Sequence, residues 1–307
     1  MRKPRRLVPG DRMAVVAPAS GFDRDRFDCG VAEIARLGLE PVLTDGVFER
    51  RGYVAGEARG RAAALTAAWR DPGIAAVIGA RGGYGSAQLL PLLDRADLDG
   101  TPKAFIGHSD LTALLVYLTI HCGVVCFHGP TVVNLAGGDA AYDPDSFLGS
   151  LMTPAPMGEL ACDGVRTLRP GDARGPLLGG TLTQLAASLG TPQAFSPPDG
   201  YVLLLDDVGE RPFRIDRMLT QLIGSGVLGR AAAVVCGELP GCDEPGGELT
   251  ACGVVADLLD AFPGPVLFGF PTGHTSGPAL TVPLGVEVRV VGGARPRLAV
   301  TEAAVRP

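Results

Sequence analysis

The chain has 307 residues, 46% of them hydrophobic, a formal net charge of −6, and 44 glycines with 26 prolines. That length allows two ordinary domains or one large one, and the recurrent apolar runs mark the glycine and proline as tight turns rather than disorder. The acidic balance argues against a nucleic-acid partner, and the basic start (Arg2, Lys3, Arg5, Arg6) has no long apolar run behind it, so neither a signal peptide nor a membrane span is expected.

In chain order, 13–17 is a short buried-strand run ending in Pro18-Ala19-Ser20. A helix is expected over 31–37, a strand over 41–43 and an alanine-rich helix over 57–69. Residues 74–78 form a strand with almost no polar residue, as when helices cover both sheet faces. Then follow a helix over 87–93, a strand over 104–106, a helix over 111–121 and a strand over 124–127. This alternation predicts an α/β fold with a doubly wound parallel sheet, in which ligands bind beyond the carboxyl ends of the strands. Residues 137–178 are rich in Gly, Pro and Asp without a strong period. The expected division is therefore an N-terminal α/β domain over 1–140, a linker over 141–175 and a second, smaller mixed α/β domain over 176–307. In that domain, helices are expected over 180–189, 212–223 and 254–262, strands over 201–205 and 231–236, and a hairpin-like end over 280–301.

Seven cysteines, an odd number without a C-x-x-C pair, indicate neither a disulfide framework nor a zinc ribbon. Most lie in apolar runs and read as small core residues, which fits a reducing cytoplasm.

Ser109 is the most informative residue. It follows the strand-like run that stops at Gly107 and precedes a helix-like run, so a sharp strand-to-helix turn would push its hydroxyl out of the sheet edge. The plainer reading is a helix N-cap, with Asp110 in the first turn. Gly82-Gly83-Tyr84-Gly85 also joins a strand to a helix and could aim amide N–H groups at an anion, although G-x-G-x-x-G and the P-loop pattern are both absent. Only four histidines exist: His108, His121, His128 and His274. His274 lies among glycines on a loop after an apolar run, where it could serve as a base; His108 and His128 also lie near strand ends. Asp206, Asp207 and Glu210 follow the buried 201–205 run, and a carboxylate there can hold a histidine in one tautomer. For Asp207 and Glu210, capping or pairing with Arg214 and Arg217 carries more weight.

Together these stretches resemble the LD-carboxypeptidase family of serine peptidases, which includes murein tetrapeptide carboxypeptidases and microcin-C self-immunity proteins. The resemblance runs through Ala14 to Ser20, Arg81-Gly82-Gly83-Tyr84-Gly85, Gly107-His108-Ser109-Asp110-Leu111-Thr112, His128-Gly129-Pro130, Gly179 to Thr183, Asp206 to Glu210 with Arg214 to Arg217, and Pro271-Thr272-Gly273-His274. It implies a Ser-His-Glu triad, a flavodoxin-like N-terminal domain and a homodimer. Carried over, Ser109 is the nucleophile, His274 the base and Asp206 the acid, one methylene shorter than the family's glutamate; Glu210, then Glu238, are the substitutes. Gly83, Tyr84 and Asp110 would bind the oxyanion or substrate, and Arg81 a substrate carboxylate. The implied substrate is a small muropeptide-like peptide ending in a D-amino acid, with no cofactor, no metal and no membrane partner. Two other substrates or roles are an amidase acting on a peptidyl-nucleotide, which would need an aromatic such as Trp69 to stack on a base, and a catalytically inactive peptide-binding protein, suggested by the aspartate. A nucleotide- or flavin-binding module is disfavoured by the missing phosphate motifs.

Overall fold

The computed structural model describes residues 1–160 and 163–307; Cys162 lies outside the described residues. Among the described residues, fourteen strands build two sheets. Those of the first half are β1 (Arg12–Val16), β2 (Glu40–Leu43), β3 (Ala76–Gly79), β4 (Ala104–Gly107) and β5 (Cys126–His128). They are followed by β6 (Gly158–Leu160), β7 (Arg166–Arg169), β8 (Gly171–Thr181), β9 (Tyr201–Asp206), β10 (Ala231–Gly237), β11 (Val266–Phe270), β12 (Val282–Leu284), β13 (Glu287–Gly292) and β14 (Arg297–Val300).

The first sheet has the order β12-β5-β4-β3-β1-β2, with β1 to β5 parallel and β12 antiparallel to β5. The parallel part follows the flavodoxin order 2-1-3-4-5, whose switch point lies between β1 and β3. Both β3 and β4 are buried along their whole length, which is why their sequences show no polar alternation. The second sheet has eight strands, in the order β6-β14-β13-β8-β9-β10-β11-β7, with β8 to β11 parallel and antiparallel strands on either side. The fold is thus mixed α/β in two domains, as expected, although the second sheet is the wider one.

Three differences have physical reasons. Residues 141–175 are structured: they hold the helix Pro144–Met152, strands β6 and β7 and the start of β8. Their Gly and Pro mark caps and turns, such as Asp143 accepting from Ser146 N–H with Pro144 in the first turn, and not an unpaired linker. The helical run expected over 87–93 is a 3₁₀ helix (Ser86–Leu92), because Pro91 lacks the N–H that an α-helix would need. Finally, β12 comes from the second half of the chain yet completes the first sheet, so the lobes share a strand.

The interface between lobes is a packed core. Along β9, Tyr201, Leu203 and Leu205 face the helices Leu182–Ser188, Pro212–Gly224 and Ala251–Leu258, while Val202 and Leu204 join the core of the first lobe. Two-sided burial turns the usual alternation into an unbroken apolar run.

Candidate active site

The end of β4 decides where Ser109 stands. The Leu111 side chain lies over Gly79 and Gly107, and a Cβ on either glycine would come within 2.2 and 2.4 Å of Leu111 Cδ1. Two glycines at neighbouring strand ends thus let the turn fold down onto the sheet. The chain reverses so sharply that Ser109 takes φ 62°, a left-handed conformation that costs an L-residue about 1 kcal/mol or more. Ser109 begins a 3₁₀ turn (Ser109–Leu111) and remains half-buried, and its hydroxyl has no hydrogen-bond partner among the described residues.

The glycine turn backs this serine. A Cβ on Gly82 would stand 2.7 Å from Ser109 Cβ, 2.9 Å from its Oγ and 3.4 Å from Asp110 N. Ser20, in the loop that follows β1, orders the same turn: its N–H donates to Gly82 O at 3.2 Å, and its Oγ accepts from Tyr84 N–H at 3.1 Å. The Tyr84 amide N–H is therefore taken up by Ser20, which leaves its side chain, and not its amide, as the part able to meet an oxyanion or substrate. Gly83 N–H has no partner among the described residues. Buried Arg61 fixes the turn from below, donating to Gly85 O at 2.9 Å and Gln88 Oε1 at 2.6 Å. Arg81 is exposed and spends one donor on Gly21 O at 2.7 Å. The buried Asp110 carboxylate serves structure: it accepts from Ser86 N–H at 2.7 Å and, across the lobes, from Gln184 Nε2 at 3.0 Å.

The second lobe supplies an imidazole. Asp206, the last residue of β9, is fully buried and meets His274 twice. His274 Nδ1–H donates to Oδ2 at 2.8 Å, and His274 backbone N–H donates to Oδ1 at 3.0 Å. Because Nδ1 keeps its proton in the hydrogen bond to the carboxylate, Nε2 is left as the basic nitrogen. Burial pulls the His274 pKa down, but the hydrogen bond and charge of Asp206, with the charge of Asp207, outweigh it and leave the pKa raised. The other carboxylates go elsewhere. Asp207 accepts from Thr183 N–H and Oγ1 at 2.9 and 2.8 Å, capping the helix Leu182–Ser188, and burial raises its pKa. Glu210 pairs with Arg214 at 3.3 Å on the surface. Glu238 accepts from Ser276 N–H at 2.8 Å, and so holds the His274 loop rather than the imidazole.

Both lobes meet at His108. Its ring centroid lies 5.0 Å from that of His274 and 6.0 Å from that of His128. His108 Nδ1–H donates to Gly129 O at 2.9 Å, which fixes the ring of the residue just before Ser109. Burial first, then the His274 charge, hold both His108 and His128 down to about 3, so these two imidazoles are neutral. Among the described residues, no group of three or more His, Cys, Asp or Glu is arranged to hold a metal ion. The contacts of Ser20, Gln184 and Thr272 were not legible as site features; Ser20 and Thr272 left a trace as members of the Ala14 to Ser20 and Pro271 to His274 stretches, and Gln184 left none.

A model of the LD-carboxypeptidase N-terminal domain matches residues 13–129, and one of the LD-carboxypeptidase C-terminal domain matches 174–290. A Streptomyces coelicolor relative, SCO6489, is 41% identical over 92% of this chain and 91% of its own. The murein tetrapeptide carboxypeptidase of Pseudomonas aeruginosa is 31% identical over 86% of this chain and 88% of its own. The microcin C7 self-immunity protein MccF of Escherichia coli is 27% identical over 89% of this chain and 88% of its own. A solved MccF structure, 23% identical, shares the fold with a TM-score of 0.90 over 99% of this chain and 100% of that one. With both of its domains matched and these relatives aligned along nearly its whole length, the chain belongs to the LD-carboxypeptidase family.

Proposed function

We propose that this protein is a serine peptidase that hydrolyses the amide between an L-configured centre and a terminal D-amino acid, with murein tetrapeptide as substrate. The observation that carries the reading is the double grip of Asp206 on His274, which orients a basic nitrogen beside the lobe that bears Ser109. In this mechanism His274 Nε2 takes the Ser109 proton as Oγ attacks the scissile carbonyl. The tetrahedral oxyanion is held by the N–H groups of Asp110 and Gly83; one such donor is worth about 3 kcal/mol. His274 returns the proton to the leaving amine, and an acyl-Ser109 ester forms. Water, deprotonated by His274, then attacks the ester and releases the shortened peptide. The free donors of Arg81 would receive the substrate's terminal carboxylate.

The shortened acid, which favoured an inactive binding protein, loses that force because Asp206 reaches the imidazole directly. The peptidyl-nucleotide reading has no tryptophan to use: Trp69 is the sequence's one tryptophan, is 2% exposed and donates its indole N–H to Leu98 O at 3.1 Å. A cytoplasmic homodimer completes the proposal; no helix among the described residues is long and apolar enough to cross a membrane. The test is to incubate purified protein with murein tetrapeptide and assay free D-alanine. Release by the wild type and none by Ser109→Ala supports the proposal; no release from any L,D-peptide by folded protein overturns it.

A further inference from the structure

We propose that His128 is a positioning residue for His274, clamping the histidine loop from the opposite lobe through a hydrogen-bond relay to Thr272 and Leu280. This deepens the reading of His274 as the base, and its test does not require turnover.

The relay has only one direction. Thr272 Oγ1 donates to Leu280 O at 2.7 Å, and a hydroxyl has one proton to give. Its oxygen must therefore accept from His128 Nδ1, 3.2 Å away, which fixes His128 as the neutral Nδ1–H tautomer. Both His128 and Thr272 are fully buried. The strand pairing supports the same junction: Val282 of β12 lies opposite His128 of β5, and Thr272 bridges Leu280. The loop over 271–282 thus leaves the second sheet, carries His274 and returns to the first sheet at His128.

Gly273 shows how tight the grip is. It takes φ +74°, and a Cβ there would lie 2.3 Å from Asp206 Oδ2 and 2.7 Å from His128 Cε1. The backbone immediately before His274 is pressed between the carboxylate of one lobe and the imidazole of the other. The remaining ring nitrogen, His128 Nε2, is buried without a partner. A buried acceptor without a partner is unfavourable, and an aliphatic side chain would fill the site without that cost. What the imidazole adds is its single donation to Thr272. The groups facing His274 are the Asp206 and Asp207 carboxylates, which raise its pKa, and the His108 and His128 rings. Loosening the loop weakens the Asp206 contact and removes part of the raise.

The experiment is a titration of the four imidazoles by NMR, with kcat and KM measured on the same samples. Thr272→Ser keeps the relay oxygen, Thr272→Val removes it at nearly the same volume, and His128→Leu removes the clamp while sparing the bond from Thr272 to Leu280. For folded Thr272→Val and His128→Leu, the His274 pKa is expected to fall by about half a unit. Their kcat should drop about 10- to 100-fold with KM within a factor of about two. Thr272→Ser should match the wild type. An unchanged His274 pKa in both disrupting variants, or a Thr272→Ser as impaired as Thr272→Val, overturns the clamp. A wild type without turnover whose His274 pKa still falls in the variants supports the clamp and rejects the peptidase reading instead.

Discussion

Asp206 binds His274 at two points, ring and backbone, from a single fully buried carboxylate. The backbone contact places the loop and the ring contact sets the tautomer, so one residue supplies both position and protonation state. Asp206→Asn retains the shape but offers an amide that can no longer balance an imidazolium. Under the proposed mechanism we expect kcat to fall by about 10³- to 10⁴-fold, the scale seen when the charge is removed from a Ser-His-Asp triad. The His274 pKa should drop, moving the acid limb of kcat/KM to lower pH; a pH–rate profile of both proteins checks this.

Restoring the family's glutamate should not help. A Cβ on Gly237 would already be 3.3 Å from Asp206 Oδ1, and one on Gly273 2.3 Å from Oδ2, so there is little room for an extra methylene. Asp206→Glu is expected to lower both activity and melting temperature, with a cost of about 1–3 kcal/mol for overpacking. Glu210→Gln removes only a surface pair with Arg214, worth at most about 1 kcal/mol, and should leave kcat intact. Comparing these variants by steady-state kinetics and thermal melts separates the acids.

Ser109 holds a strained backbone for its position. Ser109→Gly should abolish turnover and stabilise the fold by about 1 kcal/mol, since glycine adopts φ 62° freely. Denaturant midpoints would reveal the gain. A loss of stability would show that the Ser109 side chain contributes more packing than its half-buried state suggests.

Gly82 has the opposite requirement, because its missing side chain leaves room for Ser109. In Gly82→Ala the new methyl meets Ser109 Cβ and Oγ at 2.7 and 2.9 Å, so the serine side chain must move. We expect a loss of about 100-fold in kcat, the scale of a misplacement near 1 Å, in a protein that still melts cooperatively.

Stability should depend on pH with a definite sign. His108 and His128 are held to about 3 in the folded protein, against 6.5 ordinarily. Between those values the unfolded chain binds more protons, so stability falls as pH drops, with a slope approaching about 1.4 kcal/mol per unit for each ring. His274 runs the other way: its raised pKa contributes stability below about 6.5 that is lost as pH rises through its folded value. Urea midpoints at pH 7 and pH 4.5 should show the first effect dominating, and His128→Leu should shrink the difference.

The elements of the first half could be read locally. Runs such as 104–106 and 74–78 are short, apolar and bounded by glycine, and such features act over a few residues. The turn carrying Ser109 was legible for the same reason, since Gly107 before it and Leu111 after it lie close in the chain. Residues 141–175 misled because their partners are distant: β6 pairs with β14, and β7 with β11, about a hundred or more residues away in sequence.

Sequence alone determined the α/β class, the order of the motifs and the residue types available for chemistry, because periodicity and turn preference are properties of neighbouring residues. It could not choose among Asp206, Glu210 and Glu238, which all follow buried strands. Tertiary structure separates them by contact through the register of β8, β9 and β10, which aims Asp206 at the His274 loop, Glu238 at Ser276 and Glu210 at Arg214. It also joined β12 to the first sheet and so set His128 against Thr272. Contacts across 68 and 144 residues depend on how whole sheets pack, and no local pattern encodes them.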